Sequence, residues 1–504
     1  MSLLKKFLVI NPWAAAAIGF LILVFSVTGE SLDMDEAQTW DYARLATISE
    51  FWEELANDPA SESQMPLGML AWWAWGQLAG TSEYAMRALN LVWAAGAMVV
   101  FAMIGRRLSM GWFPLLMAIQ PYLWYSMNHA RTPVMQIAAG SLLLYGTICF
   151  LSEKPVSERT LLILLGGAIL LCGTNMLGLV PVLAIVTGLV VHKIWTKIHW
   201  TKKMKGVLFA GIGLLGVLGC YYLATLVRGA GGAKIWNVSP ANALYVLYEF
   251  FGFQGLGPGR QDLRNVMRGF TPPTILFVHL PLILVLIVGY MITTGAAYKA
   301  WLTRPFERLA GSSSSLMVWV AGAGVLMQSL ILLYLLGTAV GFPFWGRHLA
   351  GAFPFWVIVL ALTMRWAGQG LWRKAGRTGV GMTFLFLALS SVLLHFAPQH
   401  DHDDYRSAAR EALHLAEDSQ SIWWVADHSG GEYYGIEFLK SFTPRSGKIC
   451  YAPNASSPPE PLPDVIILSR PDNFDRSGVA MELIRSGAYN KKNHFHAFEI
   501  WERK

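Results

Sequence analysis

The 504-residue chain is 54% hydrophobic and only 14% charged, with 21 Trp beside 26 Phe and a mean hydropathy of +0.42. Soluble domains carry roughly 25% charge, so a water-soluble enzyme of this length is excluded, as are a disordered chain and, with 48 Gly and 24 Pro, a coiled coil. A polytopic helical membrane protein with soluble appendages remains, and the net charge of +7 does not mark a nucleic-acid binder, because the basic residues fall between apolar stretches and not on one face.

Crossing ~30 Å of hydrocarbon takes about 20 helical residues. Eleven spans are predicted, near 8–28, 85–104, 111–127, 133–151, 160–173, 175–192, 206–227, 274–297, 316–340, 347–364 and 378–397. The first follows Lys5 and Lys6 and lacks a small-x-small cleavage site, which reads as an uncleaved signal anchor. The fifth and sixth are separated at Gly173, Thr174 and Asn175, and merging them would invert everything downstream. Alternate loops hold the basic residues: Arg106 and Arg107, Lys154 and Arg159, Lys193 and Lys197, Lys202, Lys203 and Lys205, Lys299, Arg304 and Arg308, then Arg365, Arg373, Lys374 and Arg377. The 29–84 loop is acidic instead. The excess of Lys and Arg on one side places the N-terminus in the cytoplasm and the C-terminus outside. The chain divides into a membrane domain, 1–397, with outer loops 29–84 and 228–272, and a small extracytoplasmic α/β domain, 398–504.

In the first outer loop, Trp40, Ile48, Phe51, Trp52 and Leu55 fall on one face of a predicted interfacial helix. Trp72, Trp73 and Trp75 belong to a second surface helix that follows Pro66 and stops at Gly80. The 228–272 loop has Gly229, Gly231 and Gly232, an amphipathic stretch at 240–251, and Arg260, Arg264 and Arg268. Its Gly-rich run at 255–259 lacks the Lys-Ser/Thr of a phosphate-binding loop and reads as a flexible connection. In 398–504 a helix is predicted over 404–417 with Asp403 or Asp404 as its cap, and strands over 422–426 and 465–468. A Pro-rich loop follows at 453–463 (between the strands), then a helix capped by Asp475 and closed by Gly487, and a last strand over 495–501. Four Cys without a CxxC pair, and the His400/His402 and His494/His496 pairs on predicted exposed segments, give no metal or redox site.

Three groups of polar residues sit at predicted outer ends of spans. Asp35 and Glu36 follow the first span, Asn128, His129 and Arg131 follow the third, and Arg347 and His348 follow the ninth. A carboxylate beside a low-dielectric wall can take a proton from a hydroxyl. A guanidinium offers a planar fork to phosphate oxygens at headgroup height. Together these residue types suit transfer from a lipid-linked phosphate, with all of them expected to meet in one extracytoplasmic pocket.

The layout resembles the polyprenol-phosphate-dependent glycosyltransferases of the GT-C class, in particular bacterial relatives of the protein O-mannosyltransferases and of the lipid A aminoarabinose transferase. The segments that carry the resemblance occur in order: 32–40 with Asp35-Glu36, Met65-Pro66-Leu67-Gly68 leading to Gly80, Tyr84-Ala85-Met86-Arg87 through Arg106-Arg107, Gln120-Pro121 through His129-Ala130-Arg131, and Arg347-His348-Leu349 with Pro354. The resemblance covers roughly 1–400 and implies an inverting transfer from a polyprenyl-phosphate sugar to a protein, lipid or glycan acceptor at a bacterial inner (plasma) membrane. It implies that Asp35 acts as the base or orients the acceptor, that Glu36 assists, and that Arg131, Arg347, His348 and His129 contact the donor phosphate. Some relatives need a divalent metal and others do not. Relatives often carry an acidic residue beside the Arg that follows the third span. Here the neighbours are His129 and Pro133, so that carboxylate is missing unless Glu36 replaces it, and no metal ligand set is assigned. The rival readings are a transporter or flippase for a lipid-linked sugar or anionic solute, and a non-catalytic relative. Transport is disfavoured by spans nearly free of Asp and Glu and by the lack of an internal repeat.

Overall fold

The computed structural model describes residues 10–58, 61–153, 155–196, 201–228, 238–259, 262–263, 274–303, 313–342, 344–369, 372–439 and 445–504. Lys5, Lys6, Lys154, Lys197, Gly229, Gly231, Gly232, Arg260, Arg264, Arg268, Arg304 and Arg308, together with the start of the first predicted span, lie outside the described residues.

Seven helices among the described residues are long and apolar enough to cross a membrane: Glu83–Arg107, Pro133–Ser152, Lys202–Val227, Phe277–Thr303, Ser315–Val340, Gly346–Ala367 and Arg373–Phe396. Shorter apolar helices occupy Pro12–Val24 and Met176–His192. The protein is thus an α-helical membrane protein with a C-terminal α/β region. Burial sorts the helices. Pro133–Ser152 and Gly346–Ala367 are 89% and 83% buried over their apolar windows, whereas Lys202–Val227 and Phe277–Thr303 are 11% and 17% buried. The first two form the centre, and the last two present Phe209, Val217, Phe277 and Val278 outward, as lipid-facing helices must.

The third predicted span is not one helix. Residues 111–127 form Phe113–Ala118 and Pro121–Met127, each about 10 Å long. Pro121 has no N–H to continue the first helix, so it opens a second one at Gln120. The break between the fifth and sixth spans is present. Helix Glu158–Thr174 ends at Asn175, whose backbone is extended and whose side chain accepts from the Leu177 N–H to start the next turn. The Gly-rich run at 255–259 is buried. A Cβ on Gly255 would collide with the Ser390 carbonyl, and the Gly255 N–H donates to Ser390 Oγ at 3.1 Å.

The predicted helix from Trp40 to Leu55 is two helices, Met34–Ala43 and Ile48–Asn57. Thr47 starts the second with a reciprocal capping box to Glu50. Of its apolar residues Phe51 and Leu55 are fully buried, while Ile48 and Trp52 stay exposed. Helix Pro66–Ala79 buries Trp72 and stops at Gly80, whose φ of +79° suits glycine.

The chain forms two compact units, one of Met1–Val27, Ala46–Trp75 and Arg87–His400, the other of Thr28–Leu45, Gly76–Met86 and Asp401–Lys504. Two segments of the first loop therefore pack with the C-terminal residues. The second unit is built on a six-stranded sheet. Its strands are β1 (Ser421–Val425), β2 (Phe438–Leu439), β3 (Lys448–Tyr451), β4 (Val465–Ser469), β5 (Tyr489–Phe495) and β6 (Phe498–Arg503), in the order β2-β3-β1-β4-β6-β5. The first four are parallel, and β6 and β5 are antiparallel. Alternation buries both faces: Ile422 and Trp424 pack with Val465 and Ile467 under helix Tyr405–Glu417, while Trp423 and Val425 pack with Ile466 and Leu468 under Ala480 and Ile484. Asp404 caps Tyr405–Glu417, and the Asp475 carboxylate accepts from Ala480 and Met481 N–H at 3.0 and 2.9 Å. The predicted last strand, 495–501, is interrupted. Ala497 has a positive φ of 66° and turns the chain between β5 and β6.

Gly140 on Pro133–Ser152 meets the Gly351 backbone so closely that a Cβ would collide with its carbonyl, whereas a Cβ on Gly188 meets nothing within 4 Å. Gly140→Val is expected to lower stability by about 1–3 kcal/mol through overpacking. Gly188→Ala is expected to leave it unchanged or slightly raised. Thermal melts of both variants in detergent check this, and equal melting temperatures would refute it.

Candidate active-site residues in two units

The six residues expected in the site fall in different units. His129, Arg131, Arg347 and His348 belong to the first, and Asp35 and Glu36 to the second.

In the first unit, Arg131 lies in the short turn between Pro121–Met127 and Pro133–Ser152. The end of the leading helix would leave buried carbonyls unsatisfied. Asn90, fully buried on Glu83–Arg107, supplies its side-chain amide to the Ser126, Met127 and His129 carbonyls at 3.3, 3.1 and 2.9 Å. The Arg131 N–H donates to the His129 carbonyl at 2.7 Å, and the buried His129 ring stacks on Tyr125 with centroids 5.7 Å apart. The Arg131 guanidinium pairs with Glu62 at 2.5 Å, the two side chains being 8% and 2% exposed. Glu62 comes from a short turn, Ser61–Gln64, whose Ser63 carbonyl accepts from Tyr221 Oη at 2.8 Å. The next residues complete the fit: Thr132 Oγ1 donates to Met65 Sδ, and Gly68 leaves room for the Thr132 methyl. The acidic partner of Arg131 therefore exists, but it arrives from the 29–84 loop.

Arg347 and His348 sit on a tight turn, Gly346–Ala352, which leads into helix Phe353–Ala367. Glu249, 1% exposed at the end of helix Pro240–Phe250, accepts the Gly346 N–H at 2.6 Å and the Gln254 amide at 2.8 Å. A Cβ on Gly346 would collide with that carboxylate. His348 Nδ1 accepts the Trp345 N–H at 3.0 Å, so the neutral ring carries its proton on Nε2. The Arg347 guanidinium lies 6.0 Å from the Trp345 ring centre, and both Arg347 and His348 are half-buried. The same turn meets the helix that Arg131 introduces, through Gly351 and Gly140. Glu249 was not singled out by sequence; its one signal is a lone carboxylate in an amphipathic apolar helix.

In the second unit, Asp33 caps Met34–Ala43. Its carboxylate accepts the Glu36 N–H at 2.9 Å, and Glu36 Oε2 accepts the Asp33 N–H at 3.1 Å. Glu36 is fully buried and also faces His402 Nδ1 at 3.2 Å. His402, expected on an exposed segment, has a side chain only 9% exposed. Asp33, Glu36 and His402 offer ligand atoms within 4.8 Å of one another, a carboxylate–imidazole set that could hold a divalent cation. Asp35 is half-buried on the first turn, where the helix dipole favours a negative charge. Two charged residues at the carboxyl ends of parallel strands act on it. Arg470, after β4, has a side chain 11% exposed and a positive φ of 44°, and pairs with Asp403 at 2.5 Å. Burial pulls its pKa down, and Asp403, Tyr405, Asp33 and Asp35 outweigh that and push it up. Asp427, after β1, caps helix His428–Tyr433 by accepting the Gly430 N–H at 3.2 Å. Burial drives its pKa up to about 6, with Asp35 and Asp41 adding to the rise and His428 and the Gly430 N–H opposing it.

Two stability predictions follow from these charges. Removing either partner of Glu62–Arg131 leaves a buried charge uncompensated, so Glu62→Gln and Arg131→Met should each cost about 3 kcal/mol or more, and the double variant less than the sum. A double-mutant cycle on denaturant unfolding measures this, and strict additivity would refute it. For Asp427 the folded pKa lies above the unfolded one, so its contribution is full below pH ~4 and is lost as pH rises through about 6. Asp427→Asn keeps the cap and should stabilise the protein at pH 8 by on the order of 2–3 kcal/mol. The gain should shrink toward pH 4, and melts across that range that show a constant gap would refute it.

No protein family is matched by this sequence, and no curated protein matches it. Among solved structures it is similar to ArnT from Cupriavidus metallidurans. The structure bound to undecaprenyl phosphate shares 12% identity at a TM-score of 0.42, and the apo structure 13% at 0.43, each likeness covering 97% of this chain and 97% of that chain. Both structures fall in the aminoarabinose transferase family that the sequence resembles. At this level the likeness carries neither the neighbour's ligand nor a reaction to this chain.

Proposed function

We propose that the protein is a membrane glycosyltransferase that moves a sugar from a polyprenyl-phosphate donor to a protein, lipid or glycan acceptor, on the extracytoplasmic side of a bacterial inner membrane and with inversion at the sugar. The ordered segments of the sequence support this reading, and one observation carries it. Arg347 and His348 are held on a turn braced by buried Glu249, and that turn packs through Gly351 on the helix that Arg131 introduces. Two guanidinium-bearing elements are thereby fixed against each other within one unit, as capture of a phosphate requires.

In the proposed step the acceptor oxygen attacks the anomeric carbon and gives its proton to Asp35. The bond from that carbon to the phosphate oxygen breaks, and polyprenyl phosphate leaves with the electron pair. Arg347 and the Nε2–H of His348 receive the developing charge, and Arg131 and His129 contact the same phosphate, with Glu62 fixing the fork of Arg131. Glu36 assists through the capping box that holds the first turn under Asp35.

Transfer of labelled sugar from polyprenyl phosphate, measured in membranes, tests the proposal. Asp35→Asn is expected to lower kcat by about 100-fold or more at normal expression. Arg347→Ala should lower it by about 100-fold, with little recovery in Arg347→Lys, because the planar fork is lost. Full transfer by Asp35→Asn would remove Asp35 from the mechanism. A parent protein that transfers none of the polyprenyl-phosphate sugars would overturn the function.

A further inference from the structure

Residues 28–33, which lead into the Asp35 helix, form neither helix nor strand, so their backbone groups must find partners elsewhere. They find them on the C-terminal residues of the same unit. The Leu32 N–H donates to Tyr434 Oη at 2.9 Å. Arg406 Nη2 donates to the Gly29 carbonyl at 2.6 Å, and the Arg406 N–H donates to Ser31 Oγ at 3.1 Å. Glu83 ties the two donors together, accepting from Arg406 Nη2 at 2.8 Å and from Tyr434 Oη at 3.2 Å. Tyr434 thus relays a hydrogen bond from Leu32 to Glu83, and one carboxylate joins all three chain segments of the unit. Gly29 completes the fit, since a Cβ there would press on the Tyr84 ring at 2.7 Å.

We infer that Arg406 and Tyr434 are positioning residues for Asp35, acting through residues 29–32, so that the C-terminal region is a working part of the transfer machinery and not an appended acceptor-recruiting domain. The inference rests on the proposed function for the role of Asp35. The geometric reason is the helix period. Asp35 lies three residues past Leu32, and each residue of slippage at a helix start turns the following side chains by about 100°. The capping box sets where the helix begins, and the Arg406–Glu83–Tyr434 clamp sets where the capping box sits. Two further contacts from the C-terminal residues agree with this: His402 to Glu36 at 3.2 Å and Arg470 Nη1 to Met34 Sδ at 3.6 Å.

The test uses the full chain and two readouts. Tyr434→Phe removes only the hydroxyl and keeps the ring against Tyr433. It should speed amide hydrogen exchange over 28–36 and lower kcat about 10- to 100-fold, with donor KM within about twofold and the melting temperature near the parent's. Arg406→Ala should act in the same direction, and Arg406→Lys, which keeps a charged donor for Glu83, should recover part of the loss. Unchanged exchange in Tyr434→Phe would overturn the clamp. Faster exchange with unchanged kcat, or a rise in KM alone, would overturn the positioning role. A parent without transfer activity would overturn the proposed function, and exchange alone would then decide whether the clamp holds the segment.

Discussion

Burying a guanidinium is tolerable only when an anion is brought to it, and the first unit is organised around that demand. Glu62 reaches Arg131 from 69 residues away in sequence. To deliver it, the chain folds Ser61–Gln64 into a tight turn, pins it with Tyr221, and follows it with Gly68, which lets helix Pro66–Ala79 press against Thr132. The other side of the Arg131 turn is held by the Asn90 side chain. Attraction between the two charges offsets their desolvation only in good geometry, and the surrounding contacts keep that geometry.

The second unit solves a related problem with neutral packing. A parallel sheet buried on both faces needs apolar side chains on both, and β1 and β4 supply them over Ile422–Val425 and Val465–Leu468. Charge is thereby forced to the strand ends, where Asp427 and Arg470 stand. The segment with Asp35 and Glu36 docks on these C-terminal residues through Met34, which joins the apolar core under helix Tyr405–Glu417.

Hydrophobicity and length made most of the helices legible, because lipid and core demand the same apolar side chains. They gave no warning of the break at Pro121, since an apolar average does not see a missing N–H. Helical periodicity carried Trp40 and Leu55 onto one face, although Thr47-Ile48-Ser49-Glu50 spells a capping box and marks a fresh start. The same signature at Asp33-Met34-Asp35-Glu36 shows that Glu36 holds the helix end. Glu62 was not legible as the partner of Arg131, because it is one carboxylate among many in an acidic loop. Arg470 carries no pattern beyond preceding Pro471, and only the sheet topology brings it to Asp403.

In the proposed transfer, the pairing of Arg131 with an internal carboxylate would also bear on turnover. A spent lipid carrier bears more negative charge at its terminal phosphorus than the glycosylated form does, and a fully positive cradle would retain it. With one guanidinium already shared by a resident acid, an incoming anion must compete for that fork. In the proposed transfer, grip on a departing polyprenyl phosphate would thereby be moderated and its exchange for a loaded carrier eased.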